Sequence, residues 1–261
     1  MNILKMALVA GVVLCGANAA LADAYDDIIA AGKIRVSTDL AIPPSGMLDA
    51  ELKPIGSDVE TAQLLASDWG LELEFVPTTG ATRIPNLQTG KADLIISTLS
   101  VTPQRAEVID FTLPYAALNS VVGAPKAAEI SDWEDLRGKA VTVTRGTTQD
   151  TALTPLAGER GYTITRYDDD ATMVTAAVSG QAAAVATSET LINQIGERNP
   201  QLGFEPKFTI QVFDLAMGVH KGETQLKEKL DAWIAENLKN GKLNDIYQKY
   251  HGSPLPAEML N

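Results

Sequence analysis

The residues best suited to chemistry are the hydroxyl side chains of Thr98 and Ser100 and the guanidinium of Arg105. They follow a short apolar run, residues 94–96, which predicts a buried parallel strand. Thr102 is placed as the N-cap of the helix whose first turn holds Arg105. Hydroxyl groups, backbone N–H groups and a guanidinium at one strand end can together bind a carboxylate. The same residues also fit an ordinary capped helix start with a solvated arginine.

A second polar strand end lies at residues 144–149. A predicted strand, 140–144, leads through Gly146 to Thr147 and Thr148, where a helix is expected to begin. Free backbone N–H groups at such a helix start favour an anion. An ordinary strand–turn–helix corner would have the same local sequence, so the anion-binding interpretation depends on pairing this corner with Arg105.

Strand and helix patterns alternate along the chain, which predicts an α/β fold with parallel sheets. The alternation runs through one cycle up to about residue 96 and begins again near residue 119. Two α/β lobes that face each other would place both polar strand ends at the cleft between them, where open sheets bind ligands.

The composition excludes several classes of function. The chain has 33 acidic and 21 basic residues and a net charge of −12, which argues against nucleic acid and anionic membranes as partners. Cys15 is the one cysteine, and His220 and His251 are the two histidines. We therefore expect no disulfide, no metal site and no cofactor.

The N-terminus has the pattern of a cleaved signal peptide, residues 1–22. A basic residue, Lys5, precedes an apolar segment, and the small residues Ala20 and Ala22 mark a cleavage site. We therefore expect a protein released into the periplasm. Lipidation at Cys15 is the alternative, although the bulky residue before it does not suit a lipidation site.

The order of motifs along the chain resembles one protein family. A polar strand end that leads to Arg105 is followed by Asp110-Phe111 and then by Pro114-Tyr115. This order resembles the periplasmic solute-binding proteins of family 3, which serve ABC importers of polar amino acids and include glutamine- and glutamate/aspartate-binding proteins. The resemblance covers nearly all of the chain after the predicted signal peptide.

The resemblance implies an α/β fold of the two-lobe, type II periplasmic-binding-protein class. Each lobe would contain a mixed sheet flanked by helices, and two hinge strands would cross between the lobes near residues 116–119 and 212–215. The implied division is lobe 1 at 23–116 and 215–261 and lobe 2 at 117–214. A ligand would lie between the lobes.

The resemblance also assigns roles at the two strand ends. Arg105 and Ser100 would hold the α-carboxylate of the ligand from one lobe. Thr147 and Thr148 would hold the same carboxylate from the other lobe. The backbone of Thr98 would accept a hydrogen bond from the α-ammonium.

The side-chain end of the expected site carries mixed signals. Arg83 matches an arginine that reaches the side-chain carboxylate in glutamate/aspartate-binding proteins, although it also fits a helix surface. Asp39 matches an aspartate that contacts the ligand side chain in glutamine- and cation-binding relatives. Ile42 and Gly80 stand where the family usually places aromatic rings.

The counter-ion for the ligand ammonium is the main departure from the family pattern. Ser188 stands where an aspartate is expected, and Glu189 follows it. A serine hydroxyl is a poor counter-ion. We therefore expect Glu189 or Asp39 to neutralise the amine; in the alternative, the ligand has no amine to neutralise.

The sequence as a whole predicts a monomeric binding protein without catalytic activity. It would capture a polar amino acid or related small carboxylate and deliver it to the membrane permease of an ABC importer. One alternative is an enzyme on the same scaffold, similar to cyclohexadienyl dehydratase, with Asp39, Asp169 or Glu189 as the general acid. Another is a ligand-sensing protein that signals through a separate receptor.

Overall fold

The computed structural model of the protein describes residues 24–260. The predicted signal peptide and Cys15 lie outside the described residues. No helix within 24–260 combines the length and the apolar character that a membrane span requires.

The strands and helices alternate as the sequence predicts. The strands are β1 (Lys33–Thr38), β2 (Met47–Leu48), β3 (Pro54–Ile55), β4 (Glu72–Pro77), β5 (Leu94–Ile95), β6 (Ile109–Pro125), β7 (Ala140–Thr144), β8 (Thr163–Tyr167), β9 (Ala184–Ser188) and β10 (Phe204–His220). The α-helices are α1 (Ala24–Ala31), α2 (Ser57–Trp69), α3 (Arg83–Gln88), α4 (Pro103–Ala106), α5 (Thr148–Leu153), α6 (Ala157–Arg160), α7 (Asp170–Val178), α8 (Glu189–Arg198), α9 (Thr224–Lys239) and α10 (Lys242–His251). Short 3₁₀ helices lie at Glu134–Leu136, Thr154–Leu156 and Ala257–Met259.

Eight of these strands form one mixed sheet in the order β4-β1-β5-β10-β6-β9-β7-β8. The outer strands pair in parallel, β1 with β4 and β5, and β7 with β8 and β9. The central strands pair antiparallel, β6 with β10 and β9. We call β4, β1 and β5 the first half of the sheet and β9, β7 and β8 the second half. This arrangement confirms the predicted α/β fold with a mixed sheet and flanking helices.

The two long central strands join the halves. β6 and β10 each have 17 residues and pair along their whole length. Ala116 pairs with Leu215 and Asn119 pairs with Val212, so the two segments predicted to cross between lobes lie side by side. Each strand is longer than local apolar runs such as 121–122 indicate, because the partner strand satisfies the backbone groups of the polar residues between them.

Each half of the sheet has its own apolar core. The first core contains Ile34, Leu65 and Leu94 and also residues of α9 and α10, so the C-terminal helices pack on the first half. In the second half, two clusters centred on Ile192 and Leu153 pack around the strands. Separate cores support two lobes, and the exact lobe boundaries stay a prediction.

The helix that begins at Thr148, as predicted, is soon interrupted. α5 ends at Leu153, a 3₁₀ turn follows, and α6 begins at Ala157. Pro155 lacks a backbone N–H and cannot continue the α-helical hydrogen bonds, which explains the break.

Two helical glycines give a matched test of the packing. A Cβ atom at Gly196 in α8 would lie 2.3 Å from the carbonyl oxygen of Phe204 in β10, whereas one at Gly158 in α6 would meet nothing within 4 Å. Gly196→Ala should lower the free energy of unfolding by roughly 1–3 kcal/mol because backbone must move. Gly158→Ala should raise it by roughly 0.5–1 kcal/mol. Denaturant unfolding measures both changes in the free energy of unfolding. Equal changes in the two variants would contradict the close contact of Gly196 with β10.

Candidate functional site

The loop after β5 is held in an unusual conformation by buried polar groups. Thr98 has a positive φ of 42°, which is costly for a β-branched residue. Its backbone N–H donates to Asp58 Oδ2 at 2.8 Å, and the hydroxyl of Tyr115 donates to Asp58 Oδ1 at 2.7 Å. Burial raises the pKa of Asp58 to about 6 against the effect of these two hydrogen bonds. Asp58 therefore anchors the loop that was predicted to contact the ligand.

Arg83 supports the same loop from α3. Its side chain is buried, and Nη1 donates to the carbonyl oxygens of Ser97 at 2.5 Å and Thr98 at 3.3 Å. Burial lowers the pKa of Arg83, and the charges of Asp39, Asp170 and Asp58 act against that shift. Arg83 is thus not the exposed helix residue that its local sequence also allowed. Its predicted contact with the ligand side chain stays a prediction.

Arg105 reaches from the first half of the sheet to the second. Thr102 caps α4 as predicted and accepts a hydrogen bond from the Arg105 backbone N–H at 3.3 Å. The guanidinium donates from Nη1 to the carbonyl of Ser100 at 2.8 Å and from Nη2 to the carbonyl of Gly146 at 3.3 Å. Burial, together with the charge of Arg83, lowers the pKa of Arg105 to about 9. The guanidinium therefore remains a cation at neutral pH.

The opposing corner after β7 contacts the first half through glycines. Gly146 has a φ of 74°, and a Cβ there would lie 2.9 Å from the Cα of Ala81. A Cβ at Gly80 would lie 3.0 Å from the carbonyl oxygen of Arg145. Thr147 caps α5, accepting from the Asp150 N–H at 3.2 Å. The two halves are thus in close contact, and a side chain at either glycine would push them apart.

A small cavity of about 30 Å³ lies between the halves, and we call it the cleft chamber. Six of the residues predicted to bind the ligand line it, namely Arg83, Thr98, Ser100, Thr147, Thr148 and Ser188. Its volume is about that of one water molecule, so an amino acid would enter only if the halves separate. The structure therefore brings the two predicted strand ends together at one closed cleft.

Asp39 is not among the residues that line this chamber. Its side chain is buried; Oδ1 accepts from the Ala41 N–H at 2.9 Å, and Oδ2 has no partner within the described residues. Burial raises the pKa of Asp39, against the lowering effects of the Ala41 hydrogen bond and the charge of Arg83. A buried carboxylate oxygen without a partner is costly and would gain from a donor on a ligand.

Asp170 is the site residue that sequence reasoning missed. It begins α7, is buried, lines the cleft chamber and accepts from the Thr144 hydroxyl at 2.7 Å. The preceding residue, Asp169, is the N-cap of α7, and its side chain accepts from the Thr172 N–H at 2.7 Å. Burial, with the charge of Asp39, raises the pKa of Asp170 to about 6. The available signal was its position just after β8, beside the corner that holds Thr147.

Ser188 and Glu189 lie where β9 meets α8. The Ser188 side chain caps α8, accepting from the Leu191 N–H at 3.2 Å. Glu189 Oε2 accepts from Asn119 Nδ2 at 2.6 Å, and the residue lines a second cavity of about 260 Å³ next to the central strands. We call this second cavity the hinge chamber. The predicted role of Glu189 in neutralising the ligand amine stays a prediction.

The pH dependence of stability tests the burial of Asp170. A raised pKa means that the folded protein holds this proton up to about pH 6, while the unfolded chain releases it near pH 4. The penalty of the buried charge is therefore absent at pH 4 and present at pH 7. Asp170→Asn removes that penalty.

Relative to wild type, the variant should gain roughly 1–3 kcal/mol of unfolding free energy between pH 4 and pH 7. Urea unfolding at both pH values measures the difference, with exposed Asp168→Asn as the control. If the free energies of unfolding of Asp170→Asn and wild type differed by the same amount at pH 4 and pH 7, Asp170 would not be buried as a charge.

Comparison with known proteins places these features in a family. Residues 34–253 match the profile of the bacterial extracellular solute-binding proteins, family 3. A probable histidine-binding protein of Neisseria gonorrhoeae is 27% identical over 225 residues, which cover 84% of this chain and 83% of that protein. A glutamine-binding protein of an ABC transporter from Bacillus subtilis is 28% identical over 214 residues, covering 80% of this chain and 74% of that protein.

Solved structures agree in fold. The solute receptor for L-cysteine of Neisseria gonorrhoeae superposes with a TM-score of 0.80 at 32% identity, covering 86% of this chain and 92% of that one. An ancestral amino acid-binding protein described as a precursor of cyclohexadienyl dehydratase superposes with a TM-score of 0.79 at 29% identity, covering 87% and 99%. The chain therefore belongs to family 3 of the bacterial extracellular solute-binding proteins.

Proposed function

We propose that this protein is the extracytoplasmic substrate-binding component of an ABC importer, and that it captures a polar amino acid or a related small carboxylate. The relatives named above bind histidine, glutamine and cysteine, which supports an amino-acid-like ligand. The ligand is taken up between two lobes. Lobe 1 comprises residues 23–116 and 215–261, and lobe 2 comprises residues 117–214. The monomeric protein, exported to the periplasm by a signal peptide (residues 1–22) that is cleaved off, then passes the ligand to a membrane permease.

The observation that carries this proposal is the position of Arg105. Its guanidinium lies at the contact between the halves and donates to two carbonyl groups, those of Ser100 and Gly146. A carboxylate accepts two bonds from a guanidinium and binds more strongly than a neutral carbonyl. The ligand carboxylate would replace the Gly146 carbonyl and would also meet the hydroxyls of Thr147 and Thr148, which line the chamber.

Polar groups at the wall of the cleft chamber, together with Asp39, would select the rest of the ligand. Arg83 offers donors, whereas Asp39 and Asp170 offer carboxylate oxygens. This mixture suits a side chain that both donates and accepts hydrogen bonds. It disfavours a purely aliphatic side chain, because the buried polar groups would then stay unpaired.

Closure follows from contacts that come from both halves. A ligand touched by Arg105 on one side and by Thr147 and Thr148 on the other binds the closed form better than the open form. Binding therefore shifts the population toward closure by that difference in affinity. The permease would distinguish the loaded protein by this closed shape.

The competing function is a dehydratase-like enzyme. The observation that favours it is Asp170, a carboxyl group at the chamber wall whose pKa of about 6 suits a general acid. Turnover of cyclohexadienyl carboxylic acids by the purified protein, lost in Asp170→Asn, would establish this function in place of transport.

Replacement of the arginine tests the proposal. Arg105→Ala should weaken binding by roughly 2–5 kcal/mol, because the ligand carboxylate loses its charged partner in a closed cleft. Mass spectrometry of the ligand released by denaturing the natively purified protein identifies the ligand. Isothermal titration calorimetry with that ligand then measures the loss of affinity. Arg137→Ala, at an exposed arginine of the second half, is the matched control. Near-normal affinity in Arg105→Ala would contradict the carboxylate-binding site.

A further inference from the structure

The hinge chamber is much larger than the cleft chamber and adjoins it. The two cavities have volumes of about 260 Å³ and 30 Å³ and share four lining residues, Ile42, Thr98, Leu118 and Ser188. Ile42 comes from the loop after β1 and packs against the core of the second half. A ligand atom at this shared boundary therefore has open space beside it in the closed protein.

The family resemblance assigns Thr98 and Ser188, which both lie at this boundary, to the nitrogen of the ligand. Thr98 and Ser188 flank that point, and neither carries a charge. The Ser188 hydroxyl already accepts from the Leu191 N–H and exchanges a hydrogen bond with Thr190 at 3.1 Å. An ammonium at that point would lose its water, and the residues that the two chambers share supply no counter-ion for it, which is costly. A neutral N–H group needs one acceptor. The Thr98 carbonyl oxygen has two lone pairs and accepts one long hydrogen bond, from Arg83 at 3.3 Å, so it can accept a second one from the ligand.

The hinge chamber itself has an acidic character. Glu189 lies at its wall, and the hydrogen-bond partner of the carboxylate is the neutral amide of Asn119. His251 also lines the chamber, but burial lowers its pKa to about 4, so the imidazole is uncharged at neutral pH. Among the described residues that line this cavity there is no lysine or arginine. A cation would therefore find one negative charge and no opposing positive charge.

Two further polar groups at this wall can accept hydrogen bonds. The side-chain oxygen of Asn119 is buried and has no partner within the described residues. Asn193 follows Glu189 by one helical turn on α8, so both side chains face the same cavity. The far end of a ligand that carries several N–H donors would satisfy these acceptors.

We propose that the ligand is an N-acylated amino acid of dipeptide type. Its carboxylate binds Arg105, its amide nitrogen lies at the boundary beside Thr98 and Ser188, and its terminal ammonium lies in the hinge chamber beside Glu189. One additional residue lengthens the ligand by about 3.3–3.6 Å, which carries the ammonium past the boundary. This inference rests on the proposed function, because Arg105 fixes the carboxylate end.

Binding measurements on matched pairs test the inference. The probes are the standard amino acids and their glycyl derivatives, for example L-glutamine and glycyl-L-glutamine, with N-acetyl-L-glutamine as the derivative that lacks the terminal ammonium. For the amino acid that fits best, the glycyl derivative should bind at least about tenfold more tightly than both the free and the acetylated forms.

Variants of the hinge chamber locate the effect. Glu189→Gln should weaken binding of the glycyl derivative about tenfold more than binding of the acetylated form, since only the former carries the ammonium. Glu197→Gln, an exposed glutamate on the same helix, is the matched control and should change neither. Asn193→Phe, which would fill part of the chamber, should weaken both N-substituted ligands more than the free amino acid.

The outcomes separate this inference from the proposed function. If free amino acids bind as tightly as their glycyl derivatives, the inference is overturned and the proposed function stands. If the glycyl derivative binds tightly but Glu189→Gln affects all ligands equally, the assignment of the ammonium to Glu189 is overturned. If no member of either series binds, the inference and the amino-acid form of the proposed function both fail.

Discussion

The antiparallel pairing of β6 with β10 is the constraint on which the rest of the structure depends. These strands form the only sheet connection between the two halves within the described residues, and each half packs its own core. Register shifts at Leu215/Ala216 and Ala216/Gly218 interrupt the ladder close to the proposed hinge. Bulges bend and twist a strand pair, whereas close-packed cores resist deformation. The irregular part of the ladder therefore lies between two cores, each of which holds the polar groups of its own strand end.

The polar groups at the cleft are held in place by hydrogen bonds within the protein. Asp58 and Arg83 bond the backbone around Thr98 from two sides, which maintains its left-handed conformation. Three buried carboxylates, those of Asp39, Asp58 and Asp170, surround the single guanidinium of Arg83. Such preorganisation lowers the cost of ordering the site on binding. The Oδ2 atom of Asp39 has no hydrogen-bond partner within the described residues.

Structural features that depend on neighbouring residues could be predicted correctly from the sequence. The cap at Thr102, the strand–helix alternation and the position of Arg105 at a strand end all follow from neighbouring residues. Prediction from the sequence failed where contacts between distant segments decide. The entry of Asp170 into the cleft depends on the pairing of β7 with β8. The length of the central strands likewise depends on a partner some ninety residues away in the chain.

The central claim is that the ligand carboxylate is held between the halves by Arg105. A crystal structure of the natively purified protein with its own ligand bound tests this most directly. The account predicts a carboxylate within hydrogen-bond distance of the Arg105 guanidinium and of Thr147 or Thr148, with the ligand nitrogen at the boundary between the two chambers. A ligand bound elsewhere, or one whose uncharged end faces Arg105, would contradict it.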